Sequence, residues 1–143
     1  MKRAREATVL AVGLLLAMTS AAGAATRTAV TMDVSTTFDE EPDYFTATGI
    51  AGCETGVVSD GGAHVQFTPR PGIFAGFKVF ECDGSDSGLV ARLNARFGEG
   101  GSVGSWTIVD AWGSLAGLRG SGSLTGDPID NGILDHYVGT TTG

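Results

Sequence analysis

The stretch "LAGLRGSGSLTG", residues 115–126, decides the fold class of this chain. It places four glycines in twelve positions of a segment that otherwise has strand character. Gly120 and Gly122 are two residues apart, so on a strand they share one face. Glycine weakens a strand, but it lets another backbone or a ring approach closely and lets a sheet bend sharply. The pattern therefore favours a curved, closed sheet over a flat sandwich.

The neighbours of these glycines support the same interpretation. Leu118 and Leu124 extend the glycine face, and the two tryptophans, Trp106 and Trp112, are candidates to fill the space that the glycines leave. A phosphate-binding loop is the competing interpretation of a glycine-rich run. Such loops precede a helix, whereas this run leads into a strand.

The rest of the chain alternates apolar and polar residues at period two, with glycine-rich turns and no sustained helical period. This predicts an all-β protein of eight to nine short antiparallel strands, and with the glycine face a closed barrel. The clearest strand segments are residues 28–35, 43–50, 72–82, 89–97, 105–111 and 133–142.

Three local expectations follow from the same patterns. "GCETGVVSDGGAHVQFTP", residues 52–69, is expected to be a hairpin that turns at Asp60-Gly61-Gly62. "GIFAGFKVFEC", residues 72–82, is apolar on both faces apart from Lys78 and Glu81, and is expected to be covered on both sides. The acidic run Asp39, Glu40, Glu41 and Asp43 is expected to be a solvated connection.

The first 25 residues have the layout of a secretory signal peptide. Lys2, Arg3 and Arg5 precede an apolar run from about residue 7 to residue 18, and the small residues 22–24, Ala-Gly-Ala, follow. The apolar run is shorter than the roughly 20 residues that a membrane-spanning helix needs. We therefore predict a leader over 1–25 and a barrel domain over 26–143, in a secreted, extracellular protein; an uncleaved anchor is the alternative.

The net charge of the chain limits the kinds of partner that are expected. The whole chain has 9 basic and 16 acidic residues, and the leader holds three of the basic and one of the acidic ones, so the remainder carries a net charge of −9. Such a chain repels nucleic acid and anionic lipid, so neither is expected as a partner once the leader is cleaved.

Cys53 and Cys82 are expected to form a disulfide in an oxidising compartment. Without C-x-x-C spacing, a reactive thiol pair is the weaker alternative.

Candidate catalytic residues lie mainly on the last strand. Asp135 and Tyr137 share one face of it, and His136 shares the other. If that face points inward, the pair, together with Asp110, can polarise or deprotonate a bound molecule.

Candidate ligand-binding residues are Arg92, Asn94, Arg96 and Trp106. The first three form the polar face of "LVARLNARF", residues 89–97. Facing solvent, they would be a soluble exterior, which the alternation favours. Facing the lumen, they would bind an anionic or carbonyl-bearing ligand.

No metal or cofactor is expected. The two histidines, His64 and His136, lie on different predicted strands, and zinc usually requires three or four ligands. Asp83, Ser85 and Asp86 offer oxygen ligands that suit a weak calcium site, but they are also ordinary turn residues. No G-x-S-x-G nucleophile motif occurs.

The segments "GSWTIVDAWGSLAGLRGSGSLTG", residues 104–126, and "GILDHYVGT", residues 132–140, resemble the C-terminal half of the allene oxide cyclase-like and dirigent-like barrels. The resemblance covers about 40 residues, and it implies an eight-stranded, calycin-like barrel with an internal cavity. Members include cyclases and proteins that guide the coupling of reactive small molecules, often as dimers or trimers. The family's usual "GTG" is replaced here by residues 110–113, Asp-Ala-Trp-Gly, and no catalytic residue is carried over.

Three functions are consistent with these observations. The first is a secreted barrel that binds a small apolar or amphipathic molecule in its lumen, and a homo-oligomer is compatible with it. The second is a cofactor-independent cyclase or isomerase, which acts by confining its substrate. The third is a surface interaction protein whose barrel is filled.

Overall fold

Period-two alternation produces eight antiparallel strands that close into one barrel, as the sequence predicts. Each strand pairs with the next along the chain, and the last strand pairs with the first. The computed structural model describes residues 24–39, 42–67 and 71–143. The strands are β1 (Thr28–Thr37), β2 (Asp43–Thr48), β3 (Thr55–Gln66), β4 (Gly72–Cys82), β5 (Gly88–Gly98), β6 (Gly101–Trp112), β7 (Arg119–Ile129) and β8 (Gly132–Thr142).

The apolar residues of each alternating strand face the barrel interior. On β1, Val30, Met32 and Val34 are at most 1% exposed, and the residues between them are exposed. On β5 the whole apolar face from Leu89 to Ala95 is buried. Because a strand places alternate side chains on opposite faces, one register buries the whole apolar face of such a strand at once.

The glycine face seats Trp106. Trp106 lies directly opposite Gly122 on β7, and Gly122 lies opposite Gly139 on β8. A Cβ atom added at Gly139 would lie 2.7 Å from the Trp106 ring, and one added at Gly122 would overlap the backbone of β8. The indole is 1% exposed, and its Nε1 donates to the Ser123 carbonyl oxygen at 3.1 Å. Trp106 therefore fills the space as predicted, whereas Trp112 packs over Gly88.

The hairpin predicted at Asp60-Gly61-Gly62 is wrong. β3 continues through this point and pairs with β4 on both sides of it, with a register shift between Asp60 and Ala63. Gly62 has φ of 104°, a conformation that glycine adopts without strain. Gly61 and Gly62 therefore form a β-bulge within β3 and not a turn, because pairing with β4 continues on both sides. A bulge bends the strand that carries it.

The two ends of the barrel differ. A short 3-10 helix, Gly113–Leu115, crosses one end, where Leu115 and Ile50 are buried. The Cys53–Cys82 disulfide joins the β2–β3 loop to the end of β4 at this same end, and confirms the predicted pairing. At the other end β3 is exposed from Ser59 onwards.

The expectation that β4 is covered on both faces is not met by this chain alone. Its inward residues include Gly76, Lys78 and Phe80, all buried. On its outer face, Ile73 and Phe77 are 42% and 40% exposed.

Residues 1–23, which hold nearly all of the predicted leader, lie outside the described residues. Within the part that is described, none of the helices is long and apolar enough to span a bilayer.

Candidate functional site

A cavity of about 350 Å³ occupies the end of the barrel opposite the disulfide. Its upper wall is an apolar rim, formed by residues that come from five different strands or from the loops at their ends. The apolar rim consists of Phe38, Val65, Phe67, Phe74, Phe97 and Ile133.

Two rings of the apolar rim are largely uncovered. Phe38 is 66% and Phe67 is 71% exposed. Phe67 contacts Phe97 edge-on, with ring centroids 5.7 Å apart. Large aromatic surface that is left in water around a concavity is typical of a binding site for apolar matter.

Below the rim the cavity wall becomes polar. On β4, Lys78 lies two inward positions deeper than Phe74, and on β8 Asp135 lies one inward position deeper than Ile133. On β3, Asp60 lies opposite Lys78 and Val65 lies opposite Phe74, so Asp60 is the deeper of the two. These three residues and Ser102, all lining the cavity, form its polar base.

Lys78 is an inward-facing lysine held by two carboxylates. Its Nζ lies 2.7 Å from Asp60 Oδ1 and 3.7 Å from Asp43 Oδ2, and its side chain is 10% exposed. Asp43 in turn accepts hydrogen bonds from Thr36 Oγ1 at 3.0 Å and from the Thr37 backbone N–H at 3.3 Å. A buried charge is tolerated only when it is paired in this way, so Lys78 is fully engaged.

Asp135 is a second carboxylate of the polar base, without a cation in contact. Ser102 Oγ donates to its Oδ1 at 3.3 Å. Gly126 provides the room for this pair, since a Cβ atom there would overlap both side chains. Burial raises the pKa of Asp135, and the Ser102 hydrogen bond and the charge of Lys78 offset that effect only in part.

Tyr137 lies one inward position deeper than Asp135 and is fully buried. Its ring contacts Phe80 and Trp106, with centroids 6.0 Å and 6.3 Å away. Its hydroxyl has no hydrogen-bond partner among the described residues. Burial raises the pKa of Tyr137 well above its usual range, and the charges of Asp135, Asp43 and Asp60 add to this.

The structure brings only two of the three catalytic candidates together. Asp135 and Tyr137 both face the barrel interior. Asp110 is exposed near the far end of β6, where its Oδ1 accepts a hydrogen bond from the Ala111 backbone N–H. It therefore lies near the disulfide end and away from the cavity.

The ligand-binding candidates lie outside the cavity. All three polar residues of β5 are exposed on its outer face, where they alternate with the inward residues Leu93 and Ala95: Arg92, Asn94 and Arg96. Trp106 faces inward but belongs to the core beneath the cavity, and does not line it.

The described residues contain no group of three or more His, Cys, Asp or Glu side chains with metal-binding geometry. Asp83, the first of the loop residues considered for calcium, accepts a hydrogen bond from Thr55 Oγ1 at 2.8 Å. His136 lies on the outer face, with Nδ1 2.6 Å from Asp33 Oδ1 and Nε2 3.5 Å from Asp127 Oδ2.

Sequence reasoning missed Lys78, Asp43 and Asp60 as site residues. The solvated connection predicted for the acidic run is wrong at Asp43, whose side chain is 11% exposed. The strand alternation could have revealed them, because residues two apart on a strand share a face. Asp43 shares the inward face with the buried Phe45 and Ala47. Lys78 likewise alternates in phase with Phe80 and Cys82.

Comparison with family models, with curated proteins and with solved structures finds no match to this chain.

Proposed function

We propose that this protein binds a small apolar or amphipathic molecule in the open end of its barrel. The observation that carries the proposal is the cavity of about 350 Å³, with exposed aromatic rings at its rim and charged groups at its base. Small-molecule sites commonly have volumes of about 300–1,000 Å³, with mostly apolar walls and a few converging polar groups. The third candidate, an interaction protein with a filled barrel, accounts less well for this open cavity.

We also propose that the protein is secreted. The leader-like residues 1–25 and the Cys53–Cys82 disulfide support this, because disulfides persist mainly in oxidising compartments. The resemblance of residues 104–140 to the allene oxide cyclase-like and dirigent-like barrels remains part of this proposal. It is supported by the closed eight-stranded barrel.

One observation favours a cyclase or isomerase as the second candidate. Asp135 is a cavity-lining carboxyl with a raised pKa, and such a group can exchange a proton with a bound molecule. A bound molecule recovered chemically unchanged after prolonged incubation with the protein supports the binding function, and conversion into an isomer supports the enzyme.

The binding function is tested with a neutral, environment-sensitive naphthalene probe such as prodan. We expect blue-shifted emission and saturable binding to the wild-type protein. Phe67→Ala removes an exposed rim ring, so we expect the probe Kd to rise roughly 5- to 30-fold, which corresponds to about 1–2 kcal/mol of lost contact.

Tyr44→Ala is the matched control. Tyr44 is 62% exposed, similar to Phe67, but it lies on the outer face of β2 and does not line the cavity. Its removal is expected to leave the Kd unchanged. Equal effects of the two substitutions, or no saturable binding to the wild type, would contradict the proposed site.

A further inference from the structure

We infer that the molecule bound in this cavity carries a primary amine, which sits at the polar base beside Asp135 while its apolar part contacts the rim. This inference rests on the proposed binding function and names the ligand class. It is carried by the charge balance of the cavity, by an unshared carboxylate oxygen and by a buried hydroxyl without a partner.

The charge balance of the base is negative. Of the lysine and arginine side chains that the structure describes, Lys78 is the one that is buried. It faces three carboxylates, those of Asp43, Asp60 and Asp135, which gives the base a formal charge of −2 when all are ionised. A carboxylate or phosphate headgroup would therefore be repelled, whereas a cation would be attracted.

Asp135 is the carboxylate that remains available. Lys78 Nζ contacts Asp60 and Asp43, and no ion pair joins Asp135 to any cation of the described residues. Within the same residues, Ser102 Oγ donates to Oδ1 of Asp135 and no donor contacts Oδ2. A partly buried carboxylate with one free oxygen is a strong acceptor for a charged N–H donor.

The Tyr137 hydroxyl provides the second observation. It is fully buried and lacks a hydrogen-bond partner in the described part of the chain. Such groups are rare in folded proteins, because an unmade hydrogen bond at a buried polar atom costs about 1–3 kcal/mol. Tyr137 is the next inward residue after Asp135 on β8, so an unpartnered polar side chain is adjacent to the carboxylate at the base of the cavity.

A primary ammonium group fits this arrangement better than other cations. It is compact and carries three N–H donors, one of which suits the free oxygen of Asp135, while the positive charge suits the excess of carboxylates at the base. A quaternary ammonium group has no N–H to donate. The apolar rim, with Phe38 and Phe67 uncovered, then accommodates the alkyl or aryl part of the molecule.

The test is calorimetric titration with three probes that share one chain and differ in headgroup: n-octylammonium, 1-octanol and octanoate. At pH 7 we expect octylammonium to bind at least tenfold more tightly than octanoate, with octanol between them. Asp135→Asn is expected to weaken octylammonium binding about tenfold or more and to leave octanol binding within about twofold.

Two further variants isolate the effect. Asp127→Asn makes the same change of charge on the outer face, where Asp127 is 72% exposed, and should leave all three affinities unchanged. Ser102→Ala removes the hydrogen bond to Asp135 but keeps the carboxylate, so octylammonium binding should persist. Octanol binding shows in each variant that the cavity is still folded.

Acidification gives an independent readout. The charges that act on Asp135 are those of Lys78 on β4, Asp43 on β2 and His136 on the outer side of β8, and Asp60 lines the same cavity from β3. Because the pKa of Asp135 is raised by burial, octylammonium affinity should fall on acidification earlier than for an ordinary aspartate. The Asp135→Asn protein should show a smaller fall over the same pH range.

The outcomes separate the two proposals. Octanol binding without a preference for octylammonium over octanoate, or an unchanged octylammonium affinity in Asp135→Asn, would overturn the amine inference and leave the binding function standing. Failure of all three probes to bind the wild-type protein would overturn both.

Discussion

At the scale of single residues, the absence of a side chain is as informative as its presence. Gly122 and Gly139 leave a space that the Trp106 indole fills, and Gly126 leaves the space in which Ser102 reaches Asp135. The first space belongs to the core and the second to the cavity. Glycines at inward positions of neighbouring strands therefore decide which large or charged side chains this small barrel can hold.

Gly122→Ala is expected to destabilise the protein by roughly 1–3 kcal/mol. The added Cβ would overlap the Val138 carbonyl oxygen and lie 2.7 Å from Gly139 Cα, and backbone atoms do not move aside as a flexible side chain does. Chemical denaturation followed by tryptophan fluorescence measures the change.

Gly98→Ala is the matched control, because a Cβ atom there meets nothing within 4 Å. Its stability should stay within about 0.5 kcal/mol of the wild type, as surface substitutions usually do. If Gly122→Ala were equally harmless, the close approach of β7 and β8 at Gly122 would be disproved.

At the scale of elements, closure of the barrel depends on the pairing of β1 with β8, which runs from Thr28↔Thr141 to Thr37↔Gly132. Asp33 and His136 are directly opposite each other in this register, and their side chains are hydrogen-bonded on the outer face. The hydrogen bond that His136 donates to Asp33 is the main reason that the pKa of His136 is raised, and the charges of Asp33, Asp127 and Asp135 add to it. A cross-strand charge pair thus lies on the closing seam.

The Asp33–His136 pair makes the stability of the seam depend on pH. A histidine with a raised pKa stabilises the folded state fully below its unfolded pKa of about 6.5, and this contribution is lost as pH rises through the higher folded pKa. Asp33→Asn should therefore lower the Tm more at pH 5.5 than at pH 9. Both side chains are over a third exposed, so the difference should stay below about 1 kcal/mol.

The check is a set of thermal melts of the wild type and Asp33→Asn across this pH range. Asp127→Asn serves for comparison, since Asp127 lies farther from His136, at 3.5 Å, and should have a smaller effect. A deficit in Asp33→Asn that is the same at both pH values would show that the charge of His136 does not contribute.

At the scale of the whole molecule, the closed end of the barrel and the cavity lie opposite each other. The disulfide, the 3-10 helix and the buried Leu115 close one end, and the cavity with its uncovered rings lies at the other. A partly buried carboxyl without a cation and a hydroxyl without a partner both lower stability at the cavity end. Such groups are common where a protein meets its ligand.

Removal of the disulfide by Cys53→Ala together with Cys82→Ala should lower stability by about 3–4 kcal/mol, from the entropy of a loop of roughly 30 residues. Probe binding at a temperature where the protein is still fully folded should be unchanged, because the bond lies at the far end of the barrel. Denaturation curves and probe titrations on the same sample measure both quantities. A stability loss accompanied by a matching loss of affinity in the folded protein would show that the two ends are coupled.

The sequence by itself determined the all-β class, the closed barrel and the disulfide pair. It also indicated that a tryptophan fills the space at the glycines, and the structure decided between the two candidates in favour of Trp106. These features depend on alternation, on glycine spacing and on cysteine count, which are local or nearly local patterns. Local pattern failed at Asp60-Gly61-Gly62, because a turn and a bulge use the same residues and only the pairing of β3 with β4 distinguishes them. It also failed at Asp43. Because its neighbours in the sequence are acidic, Asp43 was predicted to lie in a solvated connection, whereas its side chain is buried.

The cavity itself was decided only by the tertiary structure. Lys78, Asp60, Asp43 and Asp135 come from four strands, and nothing in their sequence spacing shows that they converge at one depth of one lumen. Which face of a strand points inward depends on the register of the whole barrel, since a shift of one residue exchanges the two faces. The alternation along one strand shows which of its residues share a face, but only closure of the eight strands brings those faces together around one cavity.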